Sequence, residues 1–257
     1  MRQASTSAGV MRFVTKAALA GVWLTATTIL PAWAEFSPLP AQPALDQAIE
    51  QYIRSHPEVI VHALESWEVK RQEEERVRVT QAIATHQQEL LRDPASPVSG
   101  NADGGVTVIE FFDYRCGYCK RVAGTVTQLQ KDEPGVRVVY KDFPILGAAS
   151  VFAARAALAA QAQGKHQAFH EAMLASENEL TKEEVFVIAE RVGLDGQKLE
   201  ADMHSPEWQR AIDRTSELAR QLGISGTPGF VVGSEFHAGA LDLPSLKDLV
   251  ARARTTH

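Results

Sequence analysis

Apolar positions recur along this chain in two rhythms, helical first and then strand-like. Leu45, Ile49, Tyr52 and Ile53 fall at helical spacing and stop near Pro57, which predicts a short amphipathic helix. A second helical stretch runs from Glu58 to Arg92. Ile60, Leu64 and Trp67 mark one face of it, and Val79, Ile83 and Leu90 continue that face less regularly. Between them, Lys70-Arg71-Gln72-Glu73-Glu74-Glu75-Arg76 has no apolar residue, so this turn cannot enter a core and is expected to bend in solvent. At ~1.5 Å per residue such a helix would be roughly 50 Å long, more than a domain of this size covers with its own surface. An unpartnered apolar face favours an oligomerisation stalk, residues 35–92, over a solvated strut.

The rhythm then changes. Asp93 to Gly105, with Pro94, Pro97, Gly100, Gly104 and Gly105, has the composition of a linker. The β-branched and aromatic run Val106-Thr107-Val108-Ile109-Glu110-Phe111-Phe112 reads as a buried parallel strand. Val122, Val126 and Leu129 place a helix after it, and Val136-Arg137-Val138-Val139-Tyr140 forms a second parallel strand. A helical insertion over about 148–222 follows, with stops at Gly164, Gly193 and Gly223 and a capping box from Thr181 to Glu184. Strand pattern returns over 226–232 and turns at Gly233-Ser234 into Phe236-His237-Ala238, a hairpin at the sheet edge. A last helix from near Asp242 and Pro244 buries Leu246, Leu249, Val250 and Ala253. Residues 106–257 are therefore expected to form a layered α/β domain.

Composition adds an address. Arg12 and Lys16 precede an apolar run from Ala17 to Leu30, and Ala32-Trp33-Ala34 has the small-x-small pattern of a signal-peptidase site. Residues 1–34 read as a cleaved signal peptide, and Glu35 to Ala44, with Pro38, Pro40 and Pro43, as an extended lead-in. The formal net charge of −6 becomes more negative once Arg2, Arg12 and Lys16 are removed, which argues against a nucleic-acid partner. Export to the periplasm puts the two cysteines of the chain in an oxidising compartment.

Those cysteines, Cys116 and Cys119, are spaced C-x-x-C and follow the first strand directly. Cys116 should sit at a helix N-terminus, where unpaired N–H groups and the helix dipole stabilise a thiolate, and Cys119 one turn further in. Cys116 is then the nucleophile, and Cys119 attacks the mixed disulfide formed on it. A zinc site needs further ligands that no second C-x-x-C or nearby H-x-x-x-H supplies, and a bridge across two residues closes almost no loop. His166 and His170, four apart in an expected helix, could bind metal, but with no third ligand they read as plain surface. The redox-active pair itself requires no other cofactor.

A C-x-x-C at a strand-to-helix junction with Thr227-Pro228 opening a later strand resembles the thioredoxin fold, and the helical insertion narrows the resemblance to DsbA-like exported disulfide oxidoreductases. The segments AIEQYIRSHPEVIVHALE, PVSGNADGGVTVIEFFDYRCGYCKR and GISGTPGFVVG are similar to the ScsC (suppressor of copper sensitivity) branch. That resemblance implies a thioredoxin-like fold with a helical insertion, preceded by an N-terminal helical oligomerisation segment, and a homotrimer. It implies protein substrates with thiols or disulfides, and a membrane redox partner that resets the cysteines. It also makes Thr227-Pro228 a cis-proline loop against which substrate backbone lies. Glu110, six residues before Cys116, falls where these proteins keep a buried acid, and it could move the proton of Cys119 or pair with Lys141 on the next strand. Gly117-Tyr118 between the cysteines is similar to disulfide isomerases, which points to shuffling of protein disulfides, with a dithiol oxidase as the alternative. The ScsC name keeps one further class in view, a copper-tolerance protein holding Cu(I) on Cys116 and Cys119.

Overall fold

The computed structural model describes residues 42–255, so the expected signal peptide lies outside the described residues. Helix α1 (Gln42–Ser55) belongs to one compact unit, and everything from Glu58 onward to another. Pro43 falls in the first turn of α1, where its missing N–H is harmless, so the helix begins inside the expected lead-in. None of its residues is buried, and Leu45, Ile49 and Tyr52 are all exposed.

The second unit starts with α2 (Glu58–Thr85), followed by the short α3 (Gln87–Arg92). The charged middle of α2 does not break it. Arg76 pairs with Glu73, Arg78 with Glu75 and Lys70 with Glu74, ion pairs at helical spacing that sustain an exposed helix. Val59, Ile60, Val61, Leu64 and Trp67 in the first half are exposed, whereas Ile83 and Leu90 near the far end are buried.

Among the described residues five strands form one sheet, in the order β1-β3-β2-β4-β5: β1 (Val98–Gly100), β2 (Val106–Phe112), β3 (Val136–Asp142), β4 (Gly229–Val232) and β5 (Glu235–Ala238). Only β2 and β3 are parallel, joined by α4 (Gly117–Asp132), and the other pairs are antiparallel. The insertion is a set of helices, α5 (Ala148–Ala159), α6 (His166–Ala175), α7 (Lys182–Arg191), α8 (Gly196–Met203) and α9 (Pro206–Leu222). α10 (Leu243–Thr255) is the last described element, its first turn capped by Asp242 Oδ1 accepting from Ser245 N at 2.9 Å. Gly164 and Gly223 end their helices in the left-handed conformation, where a side chain would be strained. Of the capping box, half forms: Thr181 Oγ1 accepts from Glu184 N at 3.2 Å, while the Glu184 carboxylate turns to Ser176 and Asn178.

The sheet separates two apolar layers, because side chains alternate along each strand. Val108, Phe112, Val138 and Phe230 face one layer, with α4, α10 and much of the insertion. Ile109, Phe111, Val139 and Val231 face the other, with Ile83, Leu90 and Leu218. Two expected boundaries change as a result. The end of the expected stalk is part of the core of the sheet, and the expected linker contains β1, whose Val98 pairs with Val139 on β3. Prolines and glycines in 93–105 mark tight turns here, and the backbone between them still finds ladder partners.

Candidate active site

Strand β2 delivers the site. Its buried run ends at Phe112, and the loop from Asp113 turns on a hydrogen bond from Cys116 N to Asp113 O of 3.0 Å. Asp113 stays fixed because its carboxylate accepts from Arg115 N at 2.8 Å and from Leu146 N at 3.0 Å. Cys116 is the N-cap of α4, as the spacing predicts, and Gly117 and Tyr118 form the first turn. Tyr118 is exposed, with the Arg121 guanidinium 4.1 Å over its ring. Across from Cys116, the Thr227–Pro228 peptide bond is cis, and Thr227 O accepts from Cys116 Sγ at 3.3 Å. The two cysteines, both free thiols, differ in access: Cys119 is fully buried, and Cys116 lies at the surface end of the helix with 8 % of its area exposed.

Burial divides the two sulfurs chemically. It pushes the Cys119 thiol strongly up, and the charges of Glu110 and Cys116 add to that. Glu110 is itself buried between Tyr140 and Phe230 on the flanking strands, and its Oε1 has no hydrogen-bond partner. Desolvation raises this carboxyl to about 8. The acid therefore sits on the cysteine face of the sheet, near enough to act on Cys119 electrostatically.

Lys141 is not its partner. Parallel register sets Lys141 opposite Phe111 and Tyr140 opposite Glu110, so the Lys141 side chain leaves on the other face. There its ammonium donates to Glu89 O and to Ser96 Oγ at 2.8 Å and lies 3.6 Å from Asp93. Burial pulls Lys141 down to about 8 despite the opposing charge of Asp93. It anchors α3 and the following turn; it does not tune the cysteines.

The structure also corrects the two histidines. His166 and His170 are buried, not surface residues, and stack with their ring centroids 5.6 Å apart. His170 Nδ1 lies 3.0 Å from Tyr114 Oη, and its ring meets Tyr140 at 4.3 Å and Phe112 at 4.9 Å. Burial holds both histidines below their ordinary range, His166 at about 4. The active-site loop is thus tied to the insertion from within by Tyr114. From outside, Lys120 Nζ donates to Ser176 O at 2.7 Å and Arg115 pairs with Glu179 at 2.9 Å. No sequence pattern announces these contacts, since their partners stand more than 50 residues apart. Among the described residues no group of three or more His, Cys, Asp or Glu side chains is gathered to hold a metal.

Comparison with known proteins agrees with this geometry. A family model described as a DSBA-like thioredoxin domain matches residues 107–251. A thioredoxin-like oxidoreductase from Silicibacter pomeroyi is 46% identical, with 66% of this chain and 98% of that one covered at a TM-score of 0.65. Proteus mirabilis ScsC in a transitional conformation is 25% identical, covering 84% of this chain and 97% of its own, also at 0.65. A curated relative, Na(+)/H(+) antiporter NhaA 3 of Salinispora tropica, is 30% identical over 158 residues, 61% of this chain. The chain spans about a quarter of the length of the curated relatives it matches.

Proposed function

The chain belongs to the DsbA-like thioredoxin family, and from that premise we propose that it is an exported thiol-disulfide oxidoreductase that acts on proteins as a disulfide isomerase. One observation carries the reading: a nucleophilic cysteine at a helix N-terminus, backed by a second cysteine that is buried and hard to ionise. The Cys116 thiolate attacks one sulfur of a substrate disulfide, forms the mixed disulfide and expels the other sulfur as a thiolate. Two fates follow. A thiolate of the substrate can attack the mixed disulfide, making a different substrate disulfide and restoring Cys116. Alternatively, Cys119 loses its proton and attacks Cys116 Sγ, closing the Cys116–Cys119 disulfide and releasing the substrate reduced.

Near neutral pH, Glu110 is mostly protonated and accepts the Cys119 proton poorly, so the second fate is slow. The delay gives the substrate time to rearrange. Thr227-Pro228, with Thr227 O beside Cys116, offers the backbone against which a substrate segment lies, and the exposed Tyr118 flanks it.

Self-association belongs to the same proposal. The exposed row Val59, Ile60, Leu64 and Trp67 on α2 would be covered by like helices of two further copies, giving a homotrimer that surrounds a trapped substrate with several thiols. We place the activity in the periplasm, with a membrane redox partner keeping the cysteines reduced. The test is recovery of a scrambled disulfide substrate by the mature protein, run beside oxidation of a dithiol peptide. Isomerisation well above a Cys116→Ser control in dithiothreitol-poised buffer supports the proposal. Dithiol oxidation without isomerisation makes the protein a dithiol oxidase instead.

A further inference from the structure

The first turns of α4 carry a cation that the exchange chemistry above does not use. Arg115, Lys120 and Arg121 all stand close in sequence to Cys116, in a chain whose formal net charge is −6. Two of the three have local partners. Arg115 pairs with Glu179 at 2.9 Å and donates to Leu146 O at 3.4 Å. Lys120 Nζ turns toward the insertion, where it donates to Ser176 O at 2.7 Å and to Asn178 O at 3.5 Å. Arg121 differs. Among the described residues no carboxylate forms an ion pair with it, and its guanidinium lies over the Tyr118 ring at 4.1 Å.

Helical geometry explains where that guanidinium sits. Residues three apart are neighbours on a helix, and side chains tilt toward its N-terminus, so Arg121 folds back over Tyr118 toward the thiol. Gly117 keeps that approach clear: a Cβ built on it would stand 3.8 Å from Arg121 Nη1, in van der Waals contact. The guanidinium thus borders the residue that directly follows Cys116. Stacking uses the flat face of the group, while its N–H donors point outward in the plane, the fork that grips a carboxylate with two bonds. Tyr118 and Arg121 are both exposed, so the fork meets solvent. Ile145 and Leu146, exposed on the loop that Asp113 holds, are apolar and offer no such grip.

We propose that Arg121, ordered by Tyr118, is a specificity residue that selects substrate proteins in which an acidic side chain flanks the reacting cysteine. The inference rests on the reading of Cys116 as the attacking thiolate. In extended backbone a residue two positions from the substrate cysteine stands roughly 7 Å along the chain, and Gly117 stands ~3.8 Å from Cys116 at Cα, so a flanking carboxylate spans the gap from Cys116 to Arg121. The ion pair forms before the bond. Arg121 holds the carboxylate, the Cys116 thiolate attacks the substrate cysteine sulfur, an S–S bond forms between them, and the other sulfur of the old disulfide leaves as a thiolate. A basic flank meets a like charge at the same place. An exposed pair of this kind changes a rate by about fivefold at most, and salt screens it.

Single-turnover stopped flow at low salt, with the reduced mature protein in excess, reads the attack alone. The probes are three peptides whose cysteine is blocked as a disulfide with 2-thiopyridine, a neutral leaving group, and which carry Asp, Asn or Lys at the second position on both sides. Attack on the peptide sulfur releases pyridine-2-thione, which is followed by its absorbance. The parent should react about fivefold faster with the Asp peptide than with the Asn peptide, and slowest with the Lys peptide. Arg121→Gln should bring the Asp and Asn rates within about twofold of each other, Arg121→Glu should reverse the order, and Lys120→Gln should keep the order of the parent. These are ratios between peptides, so a change in thiol reactivity common to all three cancels. Equal rates for the three peptides in the parent, an order unmoved by Arg121→Glu, or the same levelling in Lys120→Gln would overturn the proposal and leave Cys116 as the nucleophile. Release from none of the peptides would overturn the exchange reading, and the proposal with it.

Discussion

The two faces of the central sheet each bury one charged residue type at neighbouring positions, and treat it in opposite ways. Glu110 faces the cysteines with its Oε1 unpartnered. Lys141, on the next strand and the other face, is surrounded by Glu89 O, Ser96 and Asp93. Burial shifts both groups toward neutrality, to about 8 in each case. The consequences differ: a satisfied ammonium fixes structure, whereas an unsatisfied carboxyl stores a protonation equilibrium near working pH. One face holds the molecule together, and the other face reacts.

The comparison breaks most visibly if the structural face is cut away. Truncation through Arg92 removes Ile83 and Leu90 from the core along with the Glu89 carbonyl that accepts from Lys141. Loss of two such side chains costs ~2–5 kcal/mol each, comparable to the whole stability of a domain. That variant should give no cooperative melting transition. Truncation through Val69 removes α1 and the exposed first part of α2, leaves Ile83 and Leu90 in place and should melt within a few degrees of the parent, so calorimetry of the pair locates the base of the domain.

Lys141→Met keeps the length and removes the charge, leaving Arg214 at 3.4 Å as the cation beside Asp93. A loss of about 3 kcal/mol is expected in urea titration, with Cys116 alkylation unchanged. Faster or slower alkylation would return Lys141 to the active site.

Glu110→Gln should do the reverse and stabilise. The folded carboxyl titrates at about 8, above its unfolded value of 4.5, so the unfolded chain ionises first and native stability falls as pH rises between these values. Removing the acid should gain about 3 kcal/mol at pH 7 and nothing below pH ~4.5, as read by chemical denaturation at both pH values. The smallest effect is expected from Tyr114→Phe, which deletes the hydrogen bond to His170 within an intact ring cluster; a loss of about 1 kcal/mol is expected.

Much of this was legible before the fold was known. The run from Val106 to Phe112, the helix after Cys119, the glycine stops and the hairpin all follow from local periodicity, and each strand and helix forms where those residues stand. Cys116 and Thr227-Pro228 could be singled out because their chemistry is carried in short motifs. What escaped was set by register and long-range packing. A one-residue offset between β2 and β3 decides whether Lys141 meets Glu110, and no composition encodes it. His166 and His170 looked like surface because their partners, Tyr114 and Tyr140, come from the active-site loop and β3. The strand β1 hid among turn residues, being only a three-residue segment.

The central claim is that Cys119 resolves a mixed disulfide slowly because Glu110 must first be free to take its proton. A mixed disulfide formed on Cys116 with a fluorescent peptide, chased by stopped flow from pH 5 to 9.5, measures that step alone. The account predicts a rate that climbs about tenfold per pH unit, bends near pH 8 where Glu110 titrates, and in Glu110→Gln is slower at neutral pH and climbs without a bend. Superimposable profiles for the two proteins would contradict it.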